Sequence, residues 1–217
     1  MQRTTESETK IIDAFHDLYY NGSEALGMAY DNTYWMGIPC LKCPLDLWIY
    51  QEIMYDVRPD LIIETGTHAG GSALYLAHIC NCLGVGHVAT IDIEERPRPE
   101  HARISYISGS SIERDTVARA LDSVKTKERV LVILDSNHTE QHVTRELELF
   151  APLVTKGSYV IVEDTNINGH PTYPSFGPGP YEAVQKFLAK NKDFAIDPLR
   201  EKFLMTFNPR GYLKKIS

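Results

Sequence analysis

Short aliphatic and β-branched runs alternate with longer helical patterns from about residue 60 onward. The runs lie at Leu61–Glu64, Val88–Asp92, Ile104–Ile107, Val130–Leu134 and Tyr159–Val162. Helical patterns follow three of them, at Ser72–Leu83, Ile112–Val124 and Glu140–Leu149. Apolar strands that alternate with helices are typical of a parallel sheet buried on both faces. The pattern therefore predicts an α/β fold with a mostly parallel sheet and helices on both sides.

The C-terminal part of the chain has a different pattern. A loop rich in Gly and Pro, Asn168–Pro180, precedes a helical pattern near Tyr181–Leu188. Phe194–Ile196 and Phe203–Phe207 are predicted to pair as an antiparallel hairpin at the edge of the sheet, and Asn208–Gly211 has the composition of a turn.

The segment before the first strand is too short for a core of its own. It contains helical patterns at residues 7–21 and Pro44–Tyr55, separated by an aromatic stretch, Tyr30–Pro39. We therefore predict an N-terminal helical and aromatic extension over residues 1–59, which covers a substrate or contacts a second subunit, and a sheet domain over residues 60–217. On this interpretation the protein is a homo-oligomer.

Charge and hydropathy narrow the classes of partner. The 217 residues contain 22 Lys and Arg against 29 Asp and Glu, a formal net charge of −7. A negative surface without a basic patch disfavours nucleic acids and anionic lipids as partners. No apolar run is long enough to span a membrane, and the N-terminus lacks the apolar segment of a secretion signal. We expect a cytoplasmic protein that binds neither nucleic acid nor membrane.

The four cysteines fall in two groups, Cys40-x-x-Cys43 and Cys80-x-Cys82. Such grouping is compatible with structural zinc. However, Cys80 and Cys82 lie in a predicted helix, where side chains two residues apart point in different directions. Reduced, partly buried thiols are therefore the favoured interpretation.

Glycines follow the first predicted strand, where the chain turns into a helix. Gly66 is free to adopt backbone angles that a side chain forbids, and Gly70 or Gly71 would let the backbone approach a ligand closely. Glu64 suits a hydroxyl or a cationic group better than a phosphate. Asp92 ends the second strand, where a carboxylate can accept hydrogen bonds from both hydroxyls of a ribose. The alternative is a tight turn that binds no ligand.

Three acids follow the fourth and fifth predicted strands. Asp135 ends one strand, and Glu163 and Asp164 end the next. The carboxyl ends of parallel strands meet at one edge of a sheet, and carboxylates gathered there favour a hard divalent ion, Mg²⁺ or Mn²⁺. Helix capping and solvated strand ends are the alternative.

His138 lies three residues after Asp135. An imidazole titrates near neutral pH, so His138 is the candidate general base, with a capping or exposed histidine as the alternative. His142, one helical turn later, is interpreted as a partner of His138 or a surface residue.

The glycine turn together with Asp92 resembles class I methyltransferases that bind S-adenosylmethionine. The resemblance implies a Rossmann-like class I methyltransferase sheet. It places at the cofactor the residues Glu64, Gly66, Thr67, Gly70, Ser72, Asp92, Ser110 and Asp135. Among them, Gly66, Thr67, Gly70 and Ser72 would line the methionine part, Asp92 would bind the ribose, and Ser110 would lie near the adenine.

Further motifs resemble the family named for cephalosporin hydroxylase, which includes rhamnosyl O-methyltransferases, over about residues 30–215. They are Trp35-x-Gly-Ile-Pro39, Lys42–Trp48, Asp135–His138, Glu163–Asn166, Tyr173–Pro180 and Phe207-Asn-Pro-x-Gly-Tyr-Leu213. The resemblance implies an S-adenosylmethionine-dependent O-methyltransferase in which Asp135, Glu163 and Asp164 bind the metal and His138 is the base. An iron oxygenase would need two histidines and a carboxylate at a spacing that is not evident here.

The acceptor is predicted only as a class. A vicinal diol, in a sugar, a natural-product glycoside or a catechol, suits two open positions on a metal. The loop Gly169–Pro180 and the stretch Tyr30–Trp35 are candidate covers. Four aromatic residues are candidate surfaces for the acceptor ring, with ordinary packing as an equal alternative: Tyr34, Trp35, Tyr173 and Phe176.

Two other functions compete with this one. A non-catalytic accessory subunit would keep the fold and bind a partner protein, but a decayed site should have lost some of Asp92, the three acids or His138. A nicotinamide dehydrogenase is disfavoured by Glu64 and by the Gly-x-x-x-Gly spacing.

Overall fold

A seven-stranded sheet organises the protein, whose computed structural model describes residues 5–22, 27–122 and 128–217. The strands are β1 (Tyr34–Trp35), β2 (Ile38–Pro39), β3 (Leu61–Thr65), β4 (His87–Asp92), β5 (Ile104–Ser108), β6 (Val130–Leu134), β7 (Tyr159–Val162), β8 (Phe194–Ile196) and β9 (Tyr212–Lys215). The α-helices are α1 (Glu6–Asn21), α2 (Pro44–Val57), α3 (Gly71–Leu83), α4 (Arg114–Asp122), α5 (Glu140–Phe150) and α6 (Pro180–Lys190). Short 3₁₀ helices lie at Ala29–Asn32, Ala151–Leu153 and Pro198–Glu201.

The strand order is β5-β4-β3-β6-β7-β9-β8. The first five strands in this order are parallel, and β9 runs antiparallel between β7 and β8. The chain moves outward from β3 to β5 and then returns to place β6 on the other side of β3. Ligands bind at such a reversal, outside the carboxyl ends of the strands. The predicted fold class, mostly parallel with an antiparallel C-terminal hairpin, is confirmed.

Helices cover both faces of the sheet, and alternate residues of β3 serve the two sides. Leu61 and Ile63 belong to a buried cluster with residues of α4, α5 and α6, while Ile62 belongs to a second cluster with residues of α2 and α3. The helix α2 begins with Pro44, whose missing N–H is not needed at a first turn. The boundary between residues 59 and 60 stays a prediction, since α2 on its N-terminal side shares this core.

The prediction of a strand at Phe203–Phe207 is wrong. The strand that pairs with β8 is β9, whose Tyr212 and Leu213 are fully buried. The backbone N–H of Phe207 instead donates to Oδ2 of Asp46, 2.8 Å away, and the Thr206 hydroxyl donates to Oδ1 of the same carboxylate. A buried carboxylate on α2 therefore takes the backbone N–H of Phe207, which a strand would have used for pairing.

The remaining differences are small. The aromatic stretch contains the hairpin β1–β2, which the pattern did not predict. The helix predicted at Ile112–Val124 begins at Arg114, and its last two predicted residues lie outside the described part of the chain. The turn predicted at Asn208–Gly211 is confirmed by a hydrogen bond of 2.9 Å from the N–H of Gly211 to the carbonyl of Asn208. Within the described ranges, no helix has the length and apolar character needed to cross a membrane.

Candidate active site at the carboxyl edge of the sheet

A cleft of about 600 Å³ opens at the point where the strand order reverses. Its lining includes six of the eleven residues predicted to bind the cofactor or the metal or to act as the base: Gly66, Asp92, Ser110, Asp135, His138 and Asp164. The other five are absent from the described lining: Glu64, Thr67, Gly70, Ser72 and Glu163. The structure thus brings predicted cofactor residues and predicted metal residues into one cleft. The other five predicted residues do not line it.

Gly66 allows the turn after β3 to lie against the end of β6. Its φ is 85°, and a Cβ atom there would lie 1.7 Å from the carbonyl oxygen of Asp135, so no side chain fits. Gly71 also stands in close contact, but with the protein, because a Cβ atom would lie 2.2 Å from the Pro39 carbonyl oxygen. We expected Gly70 or Gly71 to let the backbone approach a ligand. At Gly71 the close approach is instead to the backbone of Pro39.

Glu64 lies beneath this turn and is fully buried. Its Oε2 accepts a hydrogen bond of 2.6 Å from the hydroxyl of Thr90, which is also 2.6 Å from the hydroxyl of Thr67. Burial raises the pKa of Glu64, although Lys42 opposes the shift. Its Oε1 is buried without a hydrogen-bond partner among the described residues. Oε1 of Glu64 is therefore a hydrogen-bond acceptor that is left open close beneath the turn.

Asp92 ends β4 and is already held by the protein. Its Oδ2 accepts from the backbone N–H of His68 at 2.7 Å and lies 3.3 Å from the Arg98 guanidinium, while its Oδ1 accepts from the N–H of Glu94 at 2.8 Å. These bonds fix the direction of the carboxylate at the rim of the cleft. Ser110, after β5, lines the same end.

Asp135, His138 and Asp164 meet at the opposite end of the cleft. One ligand atom from each lies within 4.8 Å of the other two. Nε2 of His138 is 3.2 Å from Oδ2 of Asp164. Burial and the neighbouring Asp135 raise the pKa of Asp164, while His138 opposes the shift. Two carboxylates and an imidazole that converge in this way are a donor set that a divalent cation would satisfy.

Glu163 lies behind this group and pairs with a residue that the sequence reasoning missed. Nζ of Lys42 donates to Oε1 of Glu163 at 2.6 Å and to Oδ2 of Asp135. Burial alone would lower the pKa of Lys42, but Asp135, Glu163 and Glu64 together hold it well above its usual range. The only sequence signal for Lys42 was its place at the start of the Lys42–Trp48 motif.

Asp164 leaves β7 in an unusual conformation. Its φ is 53°, in the left-handed region that few residues other than Gly, Asn and Asp adopt. The backbone N–H of Asp164 donates to Oδ1 of Asn208 at 3.2 Å, and Nδ2 of Asn208 donates to the Tyr50 hydroxyl at 2.9 Å. Asn208 is fully buried. The Phe207–Leu213 motif thus supplies a support for Asp164.

His142 belongs to a separate hydrogen-bonded group. Its Nε2 lies 3.1 Å from the hydroxyls of both Ser111 and Ser136. The Ser136 hydroxyl also donates to Oε1 of the buried Glu146 at 2.8 Å. His142 lines the cleft, but its described hydrogen bonds are to this group and not to His138.

An aromatic wall, formed by Tyr20, Tyr30 and Phe207, borders the acid end of the cleft. The ring centroid of Phe207 lies 5.2 Å from that of Tyr20 and 6.2 Å from that of Tyr30. Two of these residues come from the N-terminal segment, far from Phe207 in sequence.

The four aromatic residues predicted to hold the acceptor ring are absent from the described lining of the cleft: Tyr34, Trp35, Tyr173 and Phe176. Trp35 packs edge-on against Tyr75 and donates to Nδ1 of His78 at 3.0 Å. Tyr34 is 60% exposed. Trp35 therefore has an ordinary packing role. The aromatic residues nearest the acids are those of the aromatic wall, Tyr20, Tyr30 and Phe207.

Comparison with known proteins gives consistent results. The sequence profile of the rhamnosyl O-methyltransferase/CmcI family matches residues 28–216. A rhamnosyl O-methyltransferase of Mycobacterium tuberculosis (strain H37Rv) is 37% identical over 212 residues, which cover 94% of this chain and 84% of that protein.

Two solved structures show the same fold. A structure of CmcI, described as its Mg–S-adenosylmethionine form, superposes with a TM-score of 0.67 at 20% identity. The match covers 93% of this chain and 84% of that one. CalS11, a TDP-rhamnose 3′-O-methyltransferase of calicheamicin biosynthesis, gives a TM-score of 0.52 at 18% identity, over 91% and 93%. The family expected from the motifs is confirmed: the chain belongs to the rhamnosyl O-methyltransferase/CmcI family.

Proposed function

We propose that this protein transfers the methyl group of S-adenosylmethionine to a hydroxyl of a sugar, in a rhamnosyl or similar glycoside. One observation carries the proposal: a single cleft is lined by Asp92 and Ser110 on one side and by Asp135, His138 and Asp164 on the other, with the Gly66 turn between them, beside Asp135. The first group suits the cofactor and the second suits a hydroxyl acceptor. The names of the curated relatives favour a sugar over a catechol.

Asp92 and Ser110 would hold the nucleoside part of the cofactor. The carboxylate of Asp92 is oriented by the N–H groups of His68 and Glu94, so it is preorganised to accept from ribose hydroxyls. Gly66 lines the cleft beside Asp135. The methionine part would lie at this turn, above the buried Glu64, with Thr67, Gly70 and Ser72 shaping the turn from behind.

The carboxylates on the other side of the cleft suit Mg²⁺ or Mn²⁺, which prefer oxygen ligands. Asp135 and Asp164 would bind it from the wall of the cleft, and Glu163, buried directly behind, is the third proposed ligand. When bound, the ion supplies positive charge that lowers the pKa of the acceptor hydroxyl and fixes its position.

His138 is the proposed base. Its Nε2, unprotonated before the reaction, lies 3.2 Å from Oδ2 of Asp164, which would stabilise the imidazolium that forms once Nε2 has taken the proton. The acceptor oxygen forms a bond to the methyl carbon as the bond from that carbon to sulfur breaks, and the hydroxyl proton passes to Nε2. S-adenosylhomocysteine and the methyl ether are the products. Alignment of the two substrates in one cleft supplies much of the acceleration.

The aromatic wall would bind the acceptor. Sugars present C–H groups on one face, and Phe207 with Tyr20 and Tyr30 offers an apolar surface of matching size. Because Tyr20 and Tyr30 lie within residues 1–59, we propose that the N-terminal extension completes the acceptor site.

A second copy of the chain is the proposed partner of α1. Ile11, Phe15 and Leu18 are between 52% and 67% exposed. They recur at helical spacing on one side of α1, which is typical of a helix that packs against another surface. Analytical ultracentrifugation of the wild type against Phe15→Ser tests this: a dimer or larger oligomer that dissociates in the variant supports it, and a monomeric wild type contradicts it.

Transfer of a labelled methyl group tests the proposed activity. Purified protein is incubated with labelled S-adenosylmethionine, Mg²⁺ and a panel of rhamnosyl glycosides, other glycosides with vicinal diols, and catechols. Label in a glycoside that disappears in excess EDTA and returns with Mg²⁺ is the expected result. Full turnover in EDTA would remove the metal from the proposal. Binding of the cofactor without transfer to any acceptor would favour the accessory subunit instead.

A further inference from the structure

Lys42 is a buried ammonium held among acids. Its side chain is 2% exposed, and the side chains that it contacts, Asp135 and Glu163, are 17% and 5% exposed. The flanking residues Cys40 and Cys43 are also buried, at 2% and 1% exposed. The N–H of Lys42 donates to the carbonyl of Cys40 at 2.7 Å. Lys42 therefore extends from a packed segment and cannot turn its charge into solvent without moving that segment.

The charges at this edge of the sheet form a definite set. Asp135 and Asp164 each offer an oxygen within 4.8 Å of the other, and Asp135 and Glu163 both lie within ion-pair distance of the same Nζ, that of Lys42. Lys42 contacts two of the three carboxylates. With Lys42, Asp135, Glu163 and Asp164 ionised, these four side chains carry a formal charge of −2; Glu64, whose pKa is raised by burial, lies beneath the Gly66 turn and is not counted, because it is not a proposed ligand. One divalent ion would balance this charge, whereas the acids without Lys42 would call for a third positive charge.

We propose that Lys42 is a positioning residue that acts as the resident counter-cation of the acid cluster. It holds Asp135 and Glu163 side by side without metal and leaves a net charge matched to a divalent ion. The divalent ion itself rests on the proposed function, but the role of Lys42 in the metal-free protein does not. A lysine that only anchors the start of α2 would have no effect on the choice of cation.

The test compares three variants without cofactor or acceptor. Lys42→Met removes the charge and keeps an unbranched side chain that is one atom shorter. Lys42→Met with Glu163→Gln restores the net charge of the cluster. Lys202→Met is the matched control. Lys202, like Lys42, donates to two carboxylate oxygens, in this case both on Glu52, and its loss changes the overall charge equally.

Thermal unfolding in EDTA reports on the metal-free cluster. Removal of one partner from a buried ion pair should lower the Tm of Lys42→Met by about 10 °C. The double variant should recover at least about half of this loss, because one unpaired negative charge is removed with the positive one. Lys202→Met should change the Tm little. A double variant as unstable as Lys42→Met, or more so, would overturn the proposed pairing role.

Calorimetric titrations with Mn²⁺ and La³⁺ report on the choice of cation. Loss of the neighbouring positive charge should tighten Mn²⁺ binding at least about tenfold in Lys42→Met, and La³⁺ binding by a larger factor, because repulsion scales with the charge of the ion. Unchanged or weaker Mn²⁺ binding in Lys42→Met would overturn the inference. If Lys42→Met does not fold, Lys42→Gln, which can still hydrogen-bond to both acids, replaces it in the same comparison.

The two proposals fail in different ways. A wild type that binds no Mn²⁺ contradicts the metal in the proposed function and, with it, the charge match, while the Tm comparison still decides whether Lys42 holds the acids together. A wild type that binds Mn²⁺, with a Lys42→Met variant that behaves like Lys202→Met, contradicts the role of Lys42 alone.

Discussion

The backbone N–H of Asp164 donates a hydrogen bond to Oδ1 of Asn208, 44 residues later in the chain. Asp164 follows β7, and Asn208 belongs to the turn that precedes β9, the strand next to β7 in the sheet. The bond supports a left-handed residue at the point where the acid enters the cleft. Asn208 therefore orients a proposed metal-binding residue, and its contribution can be tested without changing Asp164 itself.

Asn208→Ala should weaken the proposed metal site. Loss of the acceptor frees the backbone of Asp164 from its only described side-chain partner, and outer partners of this kind typically contribute about 10–100-fold to metal affinity. We expect a comparable rise in the Mn²⁺ dissociation constant, measured by calorimetry. The free energy of unfolding should fall by about 1–3 kcal/mol, because the buried Tyr50 hydroxyl loses a donor.

Tyr212→Phe is the control for Asn208→Ala. It removes a hydroxyl to which Nδ2 of Asn208 donates at 3.5 Å and leaves the hydrogen bond to Asp164 in place. The variant should lose stability but keep the Mn²⁺ affinity of the wild type. Equal loss of Mn²⁺ affinity in both variants would show that Asn208 acts through general packing.

His138→Gln should reduce turnover without loss of cofactor. A general base contributes about 10²–10⁴-fold, and Gln cannot accept the proton. We expect kcat to fall in that range while the dissociation constant of S-adenosylmethionine stays within about threefold, consistent with the place of His138 at the acid end of the cleft. Unchanged turnover would assign the base to another group.

His142→Gln is the comparison for the base. His142 also lines the cleft, but its described hydrogen bonds are to Ser111 and Ser136. Its loss should leave a much larger share of turnover than His138→Gln. The reverse order would exchange the roles of the two histidines.

Asp92→Ala should weaken binding of S-adenosylmethionine. Loss of a charge-assisted hydrogen bond costs about 1.5–3 kcal/mol, so the dissociation constant should rise at least about tenfold. Asp60→Ala is the matched control, since Asp60 precedes β3 at the opposite edge of the sheet and pairs with Arg129 in the same way that Asp92 pairs with Arg98. Calorimetry that shows equal losses in both variants would count against a ribose contact at Asp92.

The sequence predicted those parts of the fold that depend on local patterns. The strands β3, β6 and β7 are buried on both faces, so β6 and β7 are apolar throughout and β3 is apolar up to Glu64, which makes them easy to recognise. Phe203–Phe207 has the same apolar character without forming a strand. Its path depends on the carboxylate of Asp46, about 160 residues earlier, and such a distant partner leaves no signal in a local pattern.

The site was predictable to the extent that it lies at strand ends. Asp135 and Asp164 follow adjacent parallel strands, so their meeting could be inferred from topology alone. Lys42 and Tyr20 come from segments that precede the sheet, and no strand order predicts where they reach it. Glu163 shows a further limit, because consecutive residues after a strand point in different directions. Asp164 lines the cleft, whereas Glu163 pairs with Lys42 behind it, and the sequence did not indicate which of the two acids would do so.

Phe207→Ala should weaken binding of the acceptor and leave binding of the cofactor intact. The ring packs against both Tyr20 and Tyr30, so its removal takes away apolar surface and loosens its neighbours. We expect KM for a glycoside acceptor to rise at least about tenfold. Phe203→Ala is the control, because Phe203 lies in the same loop but is partly exposed beside Lys202. An unchanged acceptor KM in Phe207→Ala would remove the wall from the acceptor site.

His16 should make the attachment of α1 sensitive to acid. Burial lowers the pKa of His16 from 6.5 to about 4. Its Nε2 lies 3.0 Å from Nδ2 of Asn166, which can donate only to an unprotonated ring nitrogen, and its ring stacks on Phe207. Between pH 6.5 and about 4 the unfolded chain therefore binds a proton that the folded chain does not. The stabilisation is complete above pH 6.5 and is lost as the pH falls through this window.

The full shift corresponds to about 3 kcal/mol. We expect the free energy of unfolding, measured with urea from pH 7 to pH 4.5, to fall more steeply for the wild type than for His16→Gln, which cannot take up the proton. Other groups titrate over the same range, so the difference between the two curves isolates His16. Parallel curves would mean that α1 leaves the aromatic wall before the protein unfolds, or that His16 is solvated when it titrates. Because Tyr20 lies on the same helix and lines the cleft, acceptor KM should rise over the same pH range in the wild type and change less in His16→Gln.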